Sequence, residues 1–230
     1  MCGRYLLTTP AEALRQLFDF IEQPNLGPRY NIAPTSVAPV IRQRREPKGE
    51  RTLAPLRWGL VPVWAESVSL GAPLINARAE TLTEKPAFRT AFRRRRCLVP
   101  ADGFYEWKEE GGTTRQPYVI SRIDSAPIAF AGLWERWMDK AKNQPLDSFT
   151  IITTSANDLL RPLHERMPVI LAPESWARWL DPESEAAPLT ALLVPAPNEG
   201  LRYAPVDRRV NSVRNDAPDL LRPVGPEVRF

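Results

Sequence analysis

Proline recurs so often in this sequence, 25 times in 230 residues against 11 glycines, that it argues against a helical bundle. The share is roughly twice the usual ~5%. Each proline removes a backbone donor and is out of place inside a helix or a central strand. What fits is an architecture of short strands joined by many turns. With 43% apolar and 25% charged residues, the chain is long enough to enclose a substantial core. No stretch approaches the roughly 18 unbroken apolar residues of a membrane helix, and no positive region followed by an apolar one marks a secretory signal at the start. A soluble cytoplasmic protein with no membrane partner is expected.

The beginning of the chain carries chemistry by position alone. Met1 is followed by Cys2, Gly3 and Arg4, and a small second residue permits methionine removal, which would leave Cys2 as the terminus. A terminal Cys is a 1,2-aminothiol. It traps an aldehyde twice, by imine formation at nitrogen and then ring closure by sulfur to a thiazolidine. The α-amine has a reference pKa of about 7.7–8.0, so roughly a fifth to a third is free base near pH 7.4, against about one part in a thousand for a lysine. On position alone Cys2 also reads as part of an ordinary buried strand, since free cysteine packs as a small apolar group.

Residues 3–8 read as a strand. A helix over 10–22 follows, with Thr9 as cap, Pro10 in the first position, Glu12 completing a capping box, and Leu14, Leu17, Phe18 and Ile21 on its core face. Turn chemistry surrounds Asn31 and Pro34, and a strand runs through Val37, Val40 and Ile41. Arg42, Arg44, Arg45, Lys48 and Arg51 form a basic hairpin tip, either solvated or gripping phosphate. Residues 52–64 are strand-like and aromatic. Asn76, Arg78 and Glu80 alternate with Ala77 and Ala79, which puts three polar groups on one face of an extended chain, as a site wall or an exposed edge. A helix over 86–93 carries Phe88 and Phe92, and four arginines at 93–96 close it. Complementing the helix dipole accounts for two of the four.

The stretch CLVPADGFYEW reads as strand, turn, strand. Cys97 is a buried strand residue there. Glu106 stands between Tyr105 and Trp107, as a buried acid with a raised pKa that holds a proton near neutrality, or as a solvent-facing residue on a half-buried strand. Strands are expected at 117–122, 127–134 and 148–154, and a capping box at Ser155 opens a helix over 155–162. His164, the one histidine, falls in that helix's exit between two prolines, where structural, exposed and catalytic roles are all open. Val169, Ile170 and Leu171 form a buried strand, a helix over 173–180 packs Trp176, Trp179 and Leu180, and a strand covers 201–206. Residues 207–230 are a closing segment holding Val210, Asn211 and Ser212. The fold expected is a single α+β domain over 1–230, with a twisted antiparallel β-barrel-like core and short helices outside.

Two cysteines, Cys2 and Cys97, support no disulfide framework and suit a reducing compartment. The net charge of +4 is compatible with a polyanionic partner without demanding one. Neither a repeat nor metal-ligand spacing is visible, and a phosphate loop is also lacking, so no cofactor is expected. Exposed aromatics can stack bases, with Trp64 as the candidate.

In order, MCGRY, WGLVPVW, INARAET, RRCLVPADGFYEW, SAN with HERMPVIL, and VNS cover nearly the whole chain. Together they resemble the SRAP family, the SOS response-associated peptidase-like proteins. The resemblance implies a barrel-like β-rich core with a basic groove, and binding of single-stranded DNA containing abasic sites. It further implies covalent cross-linking through the N-terminal Cys as a thiazolidine, in the DNA damage response. By that resemblance Cys2 is the nucleophile, Asn76 positions it and the opened sugar, Glu106 is the acid and base, and His164 assists proton transfer. Arg4, Arg78 and Arg166 are assigned to DNA phosphates in the same way. The family label adds a peptidase activity, expected as self-removal of Met1 using Cys2. A cysteine peptidase acting on other proteins in the SOS response and a non-catalytic single-strand binding module stand as alternatives. A monomer is expected, nucleoid-associated if bacterial.

Overall fold

The computed structural model describes residues 2–44, 46–47, 49–111 and 115–230. Met1, and Arg45 and Lys48 of the basic hairpin tip, lie outside the described residues. In chain order the elements are β1 (Tyr5–Leu7), α1 (Ala11–Phe18), β2 (Arg29–Ile32), β3 (Val37–Gln43), β4 (Arg51–Trp58), β5 (Asn76–Arg78) and α2 (Arg89–Arg94). They continue with β6 (Arg96–Ala101), β7 (Gly103–Glu109), β8 (Arg115–Arg122), β9 (Ile128–Asp139), β10 (Gln144–Ser155), β11 (Arg166–Pro168), α3 (Trp176–Leu180), α4 (Ala186–Thr190), β12 (Leu201–Pro205) and β13 (Val228–Arg229). Among the described residues no helix is long and apolar enough to cross a membrane.

Five strands close into a barrel in the order β10-β4-β3-β6-β9, with β9 returning to pair β10. The ring is mixed, which corrects the expectation of an antiparallel core. β4 runs parallel to β10, with Arg57 opposite Ser148 and Trp58 opposite Phe149, and β5 is also parallel to β10. The chain reaches β10 from β4 only after the long excursion through β9, so it can enter in the same direction. Closure requires close approach at Gly132. A Cβ there would lie 2.9 Å from Cys97 Sγ and 3.0 Å from a Val99 methyl. Cys97 is therefore a packed core residue, and burial pushes its thiol pKa up.

Contacts across the ring identify its interior. Arg42 of β3 reaches Asp147 of β10 at 3.1 Å and stacks 4.4 Å from the Trp134 ring of β9, although β3 neighbours neither strand. That polar end is the inner side of the basic hairpin. At the other end Tyr5 of β1 packs edge-on against Trp58 (5.2 Å) and Phe130 (6.1 Å). The second sheet, in the order β13-β12-β8-β7-β1-β2, thus lays β1 against the aromatic end of the barrel.

Several local expectations change. α1 ends at Phe18, because Asp19 turns into the left-handed region and donates its N–H to Arg15. Leu14 and Phe18 are buried, whereas Leu17 and Ile21 are exposed. No side chain caps α1. Thr9 instead donates its hydroxyl to Asp102, and Glu12 pairs with Arg15 at 2.8 Å. β4 stops at Trp58, since Gly59 has φ of +117° and its backbone faces the Gly71 carbonyl. The expected helix at 155–162 is absent. Ser155 stays in β10, and Asn157 accepts from the Leu160 N–H at 3.0 Å in a run of turns.

The four arginines at the end of α2 and just beyond it divide by burial. Arg94 faces Glu183 at 3.6 Å and Arg95 pairs with Glu135 at 2.6 Å. Arg96 is buried and donates to the carbonyls of Phe92 (2.6 Å), Arg93 (2.8 Å), Trp179 (2.6 Å) and Asp181. It clasps the end of α2 to the end of α3. Arg96→Ala leaves several buried carbonyls without donors, at about 1–3 kcal/mol each. Denaturant unfolding is expected to show a loss of at least about 3 kcal/mol.

Candidate active site

β1 is only three residues long, so its ends need other anchors. Tyr5 lies opposite Ile32 of β2 and Phe104 of β7. Beyond Leu7, the Asp102 carboxylate accepts from the Thr9 N–H at 2.7 Å and from the Thr8 and Thr9 hydroxyls at 2.8 and 2.6 Å. Before Tyr5, the Arg4 carbonyl accepts from the Tyr105 N–H at 2.9 Å. Continuing the register of Tyr5 with Phe104 and Leu6 with Gly103 sets Gly3 opposite Glu106. Cys2 follows at the barrel's aromatic end, fully buried.

Asn76 fixes Cys2 from the barrel side. The Ile75 carbonyl accepts from the Trp58 indole N–H at 2.9 Å and from the Ile151 N–H at 3.0 Å, so the first residue of β5 is held rigidly. Asn76 Nδ2 then donates to the Cys2 carbonyl at 2.8 Å. Its Oδ1 is buried, with no hydrogen-bond partner among the described residues. The amide therefore presents an unused acceptor beside Cys2.

Glu106 is 4% exposed, and burial raises its pKa to about 7, with the positive chain terminus acting in the opposite direction. A carboxyl with such a pKa can give or take a proton near neutral pH. Burial pushes the Cys2 thiol pKa up, and the Glu106 charge adds to the rise. At neutral pH the sulfur is a thiol rather than a thiolate.

His164 sits in the turn before β11, half-buried. Its Nδ1 accepts from the Arg166 N–H at 2.9 Å, which leaves the proton of the neutral ring on Nε2. Burial and then the positive chain terminus lower its pKa, so the ring is neutral at pH 7 and acts as a donor through Nε2. Glu106 thus comes from β7 of the second sheet, and His164 from the loop that leads into β11 of the other.

The expected DNA contacts separate into committed and open groups. Arg4 Nη1 donates to Asn31 Oδ1 at 2.7 Å and to the Val210 carbonyl at 2.9 Å. Arg166 makes a two-pronged pair with Glu80 (2.8 and 3.0 Å) and donates to the Thr153 carbonyl at 2.7 Å. Arg78 is exposed and makes no ion pair among the described residues. Trp64 is 58% exposed. The wall of Asn76, Arg78 and Glu80 is partly a strand. β5 ends at Arg78, and Glu80 belongs to a 3₁₀ turn that returns it to Arg166. Asp102, Trp107 and Asn31 also shape the site, and the sequence offered no signal for them beyond polar or aromatic residues beside short strands.

The family described as SOS response associated peptidase (SRAP) matches residues 1–213. The abasic site processing protein YoaM of Bacillus subtilis is 40% identical over 226 residues, covering 96% of this chain and 97% of that one. The abasic site processing protein HMCES of Gallus gallus is 32% identical over 264 residues, covering 97% of this chain and 78% of that protein. A crystal structure of a protein from Bacteroides thetaiotaomicron superimposes with a TM-score of 0.86 at 27% identity, covering 97% of this chain and all of that one.

Proposed function

We propose that this chain, which belongs to the SOS response associated peptidase (SRAP) family, is an abasic-site processing protein. In this reading it binds single-stranded DNA and joins covalently to the opened abasic sugar through Cys2 after Met1 is removed. The observation that carries the reading is the seating of Cys2, held by Asn76 at 2.8 Å, beside a buried carboxyl whose pKa is about 7. Relatives named abasic site processing proteins support it.

The chemistry follows from these groups. An abasic deoxyribose is mostly a closed hemiacetal, so opening needs a base at the anomeric hydroxyl and a proton at the ring oxygen. The protonated Glu106 carboxyl can supply both, giving its proton to the ring oxygen and taking the hydroxyl proton on its other oxygen, while the Nε2–H of neutral His164 hydrogen-bonds the sugar. The α-amine of Cys2 adds to the aldehyde carbon to give a carbinolamine. Protonation of its hydroxyl by Glu106 releases water and leaves the imine. The thiol then adds to the imine carbon, its proton passing to nitrogen, and closes the thiazolidine. A buried neutral thiol suits this order because sulfur acts second. The Asn76 Oδ1 acceptor is placed to hold the amine or a sugar hydroxyl. The same acid and thiol also fit removal of Met1 by Cys2 itself.

Arg78, Arg166 and the half-buried charge of Arg4 serve the phosphates, and Trp64 stacks a neighbouring base. Arg78 is the cleanest test, having no ion pair to lose. Arg78→Ala should raise the half-saturating concentration of single-stranded DNA severalfold and reduce the salt slope by about 0.7, as read by fluorescence anisotropy across a salt series. The covalent reading is tested by incubating the protein with a single-stranded oligonucleotide carrying one abasic site and measuring adduct mass.

A further inference from the structure

We infer that Asn31 is a positioning residue for Cys2, acting through Arg4 and the closing segment at 207–216. Asn31 is 2% exposed and is the hub of that segment. Its Oδ1 accepts from Arg4 Nη1 at 2.7 Å, and its Nδ2 lies within 3.2, 3.1 and 2.7 Å of the carbonyls of Val210, Ser212 and Asn215. Arg4 Nη1 also reaches the Val210 carbonyl at 2.9 Å, so strand and segment share one bracket. Asn215 Nδ2 donates to the Arg209 carbonyl at 2.7 Å and folds the segment on itself.

The segment also grips the strand that carries the acid. The Trp107 indole N–H donates to Asn211 Oδ1 at 2.7 Å, one residue past Glu106. One surface thus holds the residue two beyond the nucleophile and the residue next to the acid. The position of Cys2 relative to Glu106 is therefore set by the bracket on one side and by Asn76 on the other. An error of about 1 Å in such a placement costs on the order of 100-fold in rate.

The inference rests on the cross-linking reading. Its test follows single-turnover adduct formation on abasic single-stranded DNA, across DNA concentrations, for the wild type, Asn31→Asp and Asn215→Ala. Asn31→Asp keeps the acceptor for Arg4 and removes the donors to three carbonyls. Asn215→Ala loosens the segment without touching β1, and it decides the matter if Asn31→Asp fails to fold. The rate constant at saturating DNA should fall about 10-fold or more for Asn31→Asp and about threefold for Asn215→Ala. The adduct end point should stay unchanged for both variants, and the half-saturating DNA concentration should stay unchanged for Asn215→Ala, which leaves the charge beside Arg4 as it is. Unchanged rate constants overturn the inference. A loss confined to the end point, as from misfolding, or to the half-saturating concentration, as from a lost DNA contact, also overturns it. A wild-type protein that forms no adduct overturns the cross-linking reading, and this inference with it.

Discussion

Cys2→Ala is expected to give no adduct with abasic single-stranded DNA that survives denaturation without reductant, while its retention on the same strand stays within about twofold, since phosphate and stacking contacts carry affinity. The loss is complete because nothing else supplies a 1,2-aminothiol. Cys97 cannot substitute. It is buried in β6 against Gly132, and its amide nitrogen is part of the chain. Cys2→Ser separates the two bonds the residue makes. Its amine still forms the imine, but oxygen closes the ring less favourably, so the product should survive denaturation only after borohydride reduction. Gel analysis with and without the reductant distinguishes both variants from the wild type, whose ring-closed adduct needs no reductant. Stable adduct from Cys2→Ala would remove the residue from the chemistry.

Glu106→Gln is expected to slow adduct formation by about 100-fold or more and to change its pH profile. In the wild type the rate needs Glu106 protonated, with a pKa of about 7, and the α-amine as free base, with a reference pKa of about 7.7–8.0. The two requirements give a bell with its maximum between about pH 7 and 8. Glutamine cannot lose a proton, so the alkaline fall should vanish and the residual rate should rise to a plateau. Stability moves the other way. A pKa raised from 4.5 to about 7 means the folded state holds the proton more tightly than the unfolded one. Wild-type stability from this group is therefore greatest below pH 4.5 and declines as pH rises to about 7. The advantage of Glu106→Gln should grow across that window to about 3 kcal/mol at most, measured by chemical unfolding at pH 5 and pH 8. An advantage independent of pH would mean that Glu106 is not a buried acid in solution.

The division between what the sequence carried and what it hid follows the range of the interactions involved. Prolines, alternation and aromatic runs are local, and they located most of the strands and the helix around Trp176 and Trp179. Glu106 was legible as an acid among aromatics, but its burial depended on β1 lying beside β7, and strand pairing is not written in either strand. The helix at 10–22 was too long because Asp19 ends it. Thr9 was claimed by Asp102, a residue 93 positions away, so a local capping rule lost to a tertiary carboxylate. The parallel pairing of β10 with β4 was invisible for the same reason. Arg4 and Arg166 look alike in sequence to Arg78. Only the structure separates two guanidinia engaged with Asn31, Val210, Glu80 and Thr153 from one that faces solvent.

The most direct test is the intact mass of the protein after incubation with a single-stranded oligonucleotide bearing one abasic site, beside a lesion-free oligonucleotide. The account predicts a species that persists without reductant, whose mass equals protein lacking Met1 plus oligonucleotide minus one water. It should be absent with the lesion-free strand. Free protein and free oligonucleotide as the only species, from a preparation shown to lack Met1, would contradict the account.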